Sequence, residues 1–230
     1  MKKIFILHGW TYSTEKWDAC TALLIHHGVT CVQLKIPGLT EETLKVWDID
    51  TYVAWLKEKL QGEGPAIILG HSNGGRIALA FAARYPEKLK CLILMDSAGI
   101  LHNELLLRLK RFLFGTFARI GKHITSSEKA RQLLYGVAGV ADYRDANPIM
   151  RETMKNLIAV DLTPLLASIV TPTLIIWGGK DRTTPRSDGE LMHRLIKNSF
   201  LHVIPDANHS PHATHPDDVS KIILEVLART

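Results

Sequence analysis

A chain of 230 residues with 46% apolar and 22% charged side chains can bury one substantial core, which excludes a disordered or fibrous chain and leaves one globular domain with at most an inserted subdomain. Three scattered cysteines, Cys20, Cys31 and Cys91, lack the paired spacing of a disulfide framework or a zinc site, so a reducing, cytoplasmic setting is expected. The formal charge of +5 is concentrated between Gly99 and Leu166, where ten basic residues face six acidic ones; no nucleic-acid-binding motif accompanies it, and no nucleic-acid partner is expected.

Lys3 to Leu7 reads as a short buried strand that ends at His8-Gly9-Trp10. The apolar run ahead of His8 is too short for an export segment, and no other run approaches membrane-spanning length, so membrane association is not expected. Glu15 to His26 has helical character with Thr14 as its cap, and Thr30 to Ile36 returns as a strand that Pro37-Gly38 ends. The polar segment Gly38 to Ile49 is irregular. Asp50 to Leu60 places Tyr52, Val53, Leu56 and Leu60 on one helical face before Gly62 and Gly64-Pro65 stop it. An apolar strand from Ala66 then runs into Gly70-His71-Ser72-Asn73-Gly74-Gly75 and a second run of helix formers, closed by Tyr85-Pro86. Leu89 to Met95 is the next strand. From Gly99 to about Leu166 only helical material follows, with Leu105, Leu109, Phe112 and Phe117 at helical intervals and basic residues between them. Such a basic amphipathic segment could lie on a membrane, but a roof over a pocket, apolar side inward, is the expectation. Strand and helix then alternate again: Thr173 to Trp177, Pro185 to Ile196, Phe200 to Ile204 and His215 to Ala228.

Six apolar strands separated by helices predict a doubly wound, mostly parallel sheet, whose ligands sit at the carboxyl ends of the strands. His8, Ser72, Asp96, Asp181 and His209 all fall just past predicted strand ends. Gly70 and Gly74 flank Ser72 in the G-x-S-x-G pattern, which lets a strained nucleophile stand at a sharp strand-to-helix reversal next to unpaired helix amides suited to an oxyanion. A serine hydroxyl needs a base, and the base an orienting acid. His209, in the loop after the last strand, is the candidate base, and Asp181 the candidate acid; Asp96, after an earlier strand, stays open as an alternative acid. His209, His212 and His215 recur every three residues, but Pro211 and Pro216 interrupt them and no acidic or cysteine partner completes a metal site.

His8-Gly9-Trp10, the serine elbow, Trp177-Gly178-Gly179-Lys180-Asp181 with Pro185, and Asn208-His209 together resemble the α/β-hydrolase superfamily over nearly the whole chain. The resemblance implies the α/β-hydrolase fold, with a core formed by residues 1–98 and 167–230 and a helical cap at 99–166. Many members carry an antiparallel strand pair ahead of His-Gly; only a handful of residues precede it here, so about six strands are expected. The resemblance further implies Ser72 as nucleophile, His209 as base, Asp181 as its partner, and the amides of Trp10 and Asn73 as oxyanion hole. His8, Gly9 and His71 flank these groups as candidate substrate-binding residues, His71 mattering less than His209. The expected activity is hydrolysis of a small carboxylic ester or similar acyl compound through an acyl-enzyme, with no cofactor and no metal. Carbon–carbon bond hydrolysis of ring-cleavage products is the enzymatic rival, although its extended glycine-rich loop is replaced by Trp10-Thr11-Tyr12-Ser13. A non-catalytic receptor on the same fold is the other.

Overall fold

A computed structural model describes residues 2–102 and 147–229. Its frame is a six-stranded sheet of β1 (Lys2–Leu7), β2 (Val29–Gln33), β3 (Ala66–His71), β4 (Leu89–Met95), β5 (Thr173–Gly178) and β6 (Ser199–Ile204), in the order β2-β1-β3-β4-β5-β6. Every pairing is parallel. The chain leaves β1 for β2 on one side and returns to lay β3 on the other. The loops after β1 and β3 therefore emerge side by side, at the switch point where such sheets bind ligands.

Strand residues alternate between two faces, and in the inner strands such as β3 and β5 both faces are buried, which is why these read as continuous apolar runs. Phe5, Leu7 and Ile68 point into one core layer with α2 (Ile49–Lys59), α3 (Asn73–Arg84) and α5 (Arg186–Leu195). Ile4, Ile6 and Ile67 point into the other, beneath α1 (Asp18–His26) and α7 (Pro216–Arg229). All three cysteines are free; burial pushes the Cys20 thiol up to about 12 and the Cys91 thiol up to about 11.

Several predicted boundaries shift, each for a local reason. The helix expected over Glu15 to His26 begins as a 3-10 turn, Glu15–Trp17, and Thr14 supplies no side-chain cap. Its carbonyl accepts the Trp17 N–H at 2.9 Å instead, drawing Trp17 into the core. β2 stops at Gln33 rather than Ile36, because the Ile36 carbonyl turns to accept the amides of Leu39, Thr40 and Glu41. α2 starts one residue early, at Ile49, since the Asp48 carboxylate caps it by accepting the Thr51 N–H at 2.8 Å. Pro216 divides the last helical stretch into α6 (Pro211–Thr214) and α7.

Most of the insertion expected at 99–166 lies outside the described residues. Its returning end is α4 (Pro148–Ile158), capped by Asn147, followed by a 3-10 turn, Thr163–Ser168. This end is fastened to the main body by Trp47 N–H, which donates to Thr153 Oγ1 at 3.0 Å, and to the insertion's own start by Leu162 N–H, which donates to the Gly99 carbonyl at 2.9 Å. Arg76, one turn past Ser72 on α3, donates from Nη1 to the Val160 carbonyl at 2.8 Å. Among the described residues, no helix is long and apolar enough to cross a membrane.

Candidate active site

The reversal from β3 into α3 is so tight that Ser72 takes φ 51 and ψ −117, a conformation that L-residues rarely adopt. Three backbone hydrogen bonds hold it there: Ser72 N–H donates to the Met95 carbonyl, while the Ser72 carbonyl accepts the amides of Arg76 and Ala98. Gly74 is what lets the helix begin so close to β1. A Cβ at that position would lie 2.1 Å from the Leu7 carbonyl oxygen and 2.6 Å from that of His8. Both obstacles are backbone, so neither can swing aside. Gly74→Ala is expected to cost about 3 kcal/mol, measured as a lower urea midpoint or as loss of soluble protein; a wild-type midpoint would show that the elbow is looser than described.

His209 stands in the loop between β6 and α6, and its two ring nitrogens reach in opposite directions. Nε2 lies 2.9 Å from Ser72 Oγ and Nδ1 lies 2.8 Å from Asp181 Oδ2. Asp181, after β5, has no free oxygen: Oδ1 accepts the amides of Thr183 and Thr184 at 2.7 and 3.2 Å, and Oδ2 accepts the Thr184 hydroxyl at 2.8 Å. Burial pushes the Asp181 carboxyl up, but the hydrogen bond and charge of His209, with the Thr184 and Thr183 donors, outweigh it and hold the group below the ordinary value. An ionised Asp181 fixes the tautomer. Nδ1 carries the proton toward the carboxylate, leaving Nε2 as a lone pair that accepts the Ser72 hydroxyl.

Asp96 is the carboxyl that the alternative reading needed, and it is placed differently. It is fully buried, its Oδ1 accepts the Gly178 N–H at 2.8 Å, and Oδ2 has no partner. Burial pushes its pKa up to about 8; the Gly178 bond opposes this, and the neighbouring Asp181 charge adds to it. The environment of Asp96 favours the protonated form far more than that of an ordinary carboxyl does, and no hydrogen bond joins it to the His209 ring among the described residues. The acid that touches the imidazole is Asp181.

A model of the alpha/beta hydrolase family matches residues 4–222. The chain belongs to this family. It is 31% identical to the pimeloyl-[acyl-carrier protein] methyl ester esterase of Neisseria meningitidis serogroup B, across 94% of this chain and 89% of that protein. It is also 31% identical to the 2-hydroxy-6-oxo-6-phenylhexa-2,4-dienoate hydrolase of Burkholderia cepacia, across 73% of this chain and 64% of that one. Among solved structures, an esterase from Exiguobacterium antarcticum superposes with a TM-score of 0.75 at 20% identity, covering 99% of this chain and 92% of the other, a likeness of fold. Both named relatives are hydrolases, and this chain is a carboxylesterase-like enzyme of the same family.

The remaining predicted site residues of this hydrolase fall into two groups. The amides of Trp10 and Asn73 donate to no protein acceptor among the described residues, and the side-chain nitrogens Trp10 Nε1 and Asn73 Nδ2 are likewise buried without partners. Gly9 adjoins Ser72 directly, since a Cβ on it would lie 3.1 Å from Ser72 Cβ. His8 and His71, in contrast, turn into the protein. Nδ1 of His8 is 2.8 Å from the Gly9 carbonyl and Nε2 is 2.8 Å from Thr40 Oγ1, while burial, opposed by the Gly9 bond, lowers its pKa. The ring ties the loop bearing Trp10 to the loop after β2. His71 is buried and donates from Nε2 to the His209 carbonyl at 2.7 Å.

Two residues escaped the sequence reading. The Thr184 hydroxyl lies within hydrogen-bond reach of both Asp181 Oδ2 and the Asp96 carbonyl and comes within 3.3 Å of His209 Nδ1; its only local signal was the turn Asp181-Arg182-Thr183-Thr184. Thr40 carried no signal at all. His212 stacks on Trp17 at 3.9 Å between ring centroids, and burial lowers its pKa to about 3. Among the described residues, no cluster of three His, Cys, Asp or Glu side chains stands in metal-binding proximity.

Proposed function

We propose that this enzyme hydrolyses carboxylic esters by double displacement at Ser72. The observation that carries the reading is the unbroken line from Ser72 Oγ through His209 to Asp181, with contacts of 2.9 and 2.8 Å. As the Ser72 oxygen attacks the ester carbonyl, His209 Nε2 takes the hydroxyl proton, and Asp181 stabilises the imidazolium that forms. Charge on the former carbonyl oxygen is met by the unpaired amides of Trp10 and Asn73. The imidazolium then protonates the departing alkoxide. Water, giving its proton to the same nitrogen, cleaves the acyl-serine and restores the hydroxyl. No step requires a group from outside the chain other than water.

The Neisseria relative acts, by its name, on a pimeloyl-[acyl-carrier protein] methyl ester, so that substrate heads the panel. It should be assayed beside p-nitrophenyl and methyl esters of graded chain length, a thioester and a ring-cleavage dienoate. Expected is serine-dependent turnover of esters with release of alcohol and acid. Turnover confined to the dienoate would replace this reading with carbon–carbon hydrolysis. No turnover, together with no labelling by a fluorophosphonate, would leave a binding protein.

A further inference from the structure

We infer that His71 is a positioning residue for the base: its ring N–H holds the loop that carries His209 in reach of the nucleophile. The inference rests on the ester-hydrolase reading of Ser72 and His209. His71 is the last residue of β3 and directly precedes Ser72, so it sits at the end of an inner strand paired with β1 and β4, in register with Met95. His209 has no such footing. It lies in a loop, 137 positions further along the chain than Ser72, and its ring must still meet Oγ at 2.9 Å.

The bond from His71 Nε2 to the His209 carbonyl, 2.7 Å long, joins these two segments at the backbone of the base itself. The elbow thus holds His209 twice, once by the ring through Ser72 and once by the main chain through His71. A carbonyl accepts only a donor, so Nε2 carries the proton and Nδ1 does not. The opposite edge of the ring lies against the oxyanion loop, where a Cβ on Gly9 would come within 2.9 Å of Nδ1. Beneath, His212 stands edge-on to His71 at 4.7 Å and is itself stacked on Trp17, closing the space into which the ring could tilt. Burial, reinforced by the neighbouring His212 and His209 and opposed by the bond to the His209 carbonyl, holds the His71 pKa well below the ordinary value, which favours the neutral ring. A buried donor with one acceptor and a locked ring is suited to hold a loop, not to meet a substrate.

The test separates the hydrogen bond from the bulk of the ring. H71F keeps an aromatic ring without a donor, and H71Q offers an amide N–H near the position of Nε2. Each is assayed on a p-nitrophenyl ester beside wild type and S72A, with melting temperature as the fold control; H71M replaces H71F if the latter does not fold. Expected is a fall in kcat of about 10- to 100-fold in H71F with KM within about twofold, and recovery to within about fivefold of wild type in H71Q. The low-field proton resonance shared by His209 Nδ1 and Asp181 should broaden in H71F and return in H71Q. Wild-type kcat in H71F, equal losses in H71F and H71Q, or a loss carried by KM would each overturn the inference. More than about a percent of wild-type kcat in S72A would instead overturn the reading of Ser72 as nucleophile, whatever the His71 variants do.

Discussion

Ser72→Ala is expected to lower kcat by about 10⁵-fold, a loss of roughly 7 kcal/mol of transition-state stabilisation, with KM little changed and labelling by a fluorophosphonate abolished. The size follows from what the variant keeps. The His209–Asp181 contact, the unpaired amides of Trp10 and Asn73 and the surrounding walls all persist, so residual turnover reports water attacking a positioned ester. His209→Ala should fall to the same level, and the double variant should fall no further, because the hydroxyl and the imidazole act as one unit. Stability should move the other way. Alanine keeps the penalty of φ 51 at this position, whereas glycine escapes it, so Ser72→Gly should be more stable than Ser72→Ala by about 1 kcal/mol in urea denaturation. More than a percent of wild-type kcat in Ser72→Ala would remove the serine from the mechanism.

Asp181→Asn is expected to cost about 10³- to 10⁴-fold in kcat. Its amide nitrogen can turn toward Nδ1 and donate, which moves the imidazole proton to Nε2 and leaves no lone pair for the Ser72 hydroxyl. Asp96→Asn should lose less than about tenfold, because the hydrogen bonds of the imidazole go to Asp181 and Ser72, and Asp96 Oδ1 is taken by the Gly178 amide. The two carboxyls also differ in their effect on stability against pH. Asp96 is raised in the folded protein to about 8, from about 3.9 unfolded, so its contribution is present in full below the unfolded value and is lost as pH rises through about 8. Asp181 is lowered, so its contribution is present above the unfolded value and is lost as pH falls through the folded one. Thermal melts from pH 5 to 9 should therefore show wild type weakening toward alkaline pH and Asp96→Asn responding less. Parallel curves would mean that Asp96 is ionised when folded.

Sequence alone was enough for the strands, their helical crossovers, the elbow at Ser72 and the loops bearing Asp181 and His209, because those signals are local. Short apolar runs, glycines that admit a tight reversal and prolines that end helices act over a few residues and are legible in one dimension. It did not reach the break of the first helix at Trp17, the early end of β2 or the roles of Thr40 and Thr184, where a carbonyl, a buried ring or a hydroxyl is satisfied by a partner set by packing. For the acid, the motif around Asp181 favoured it over Asp96, but both lie just past neighbouring strands, β5 and β4, and the contact with the imidazole is a matter of packing. Tertiary structure decided it, by giving Asp96 to the Gly178 amide and Asp181 to His209. It also turned His8 and His71 inward and laid Gly9 against Ser72, because strand order sets which distant loops touch, and that order arises from packing across the sheet rather than from any stretch of chain within it.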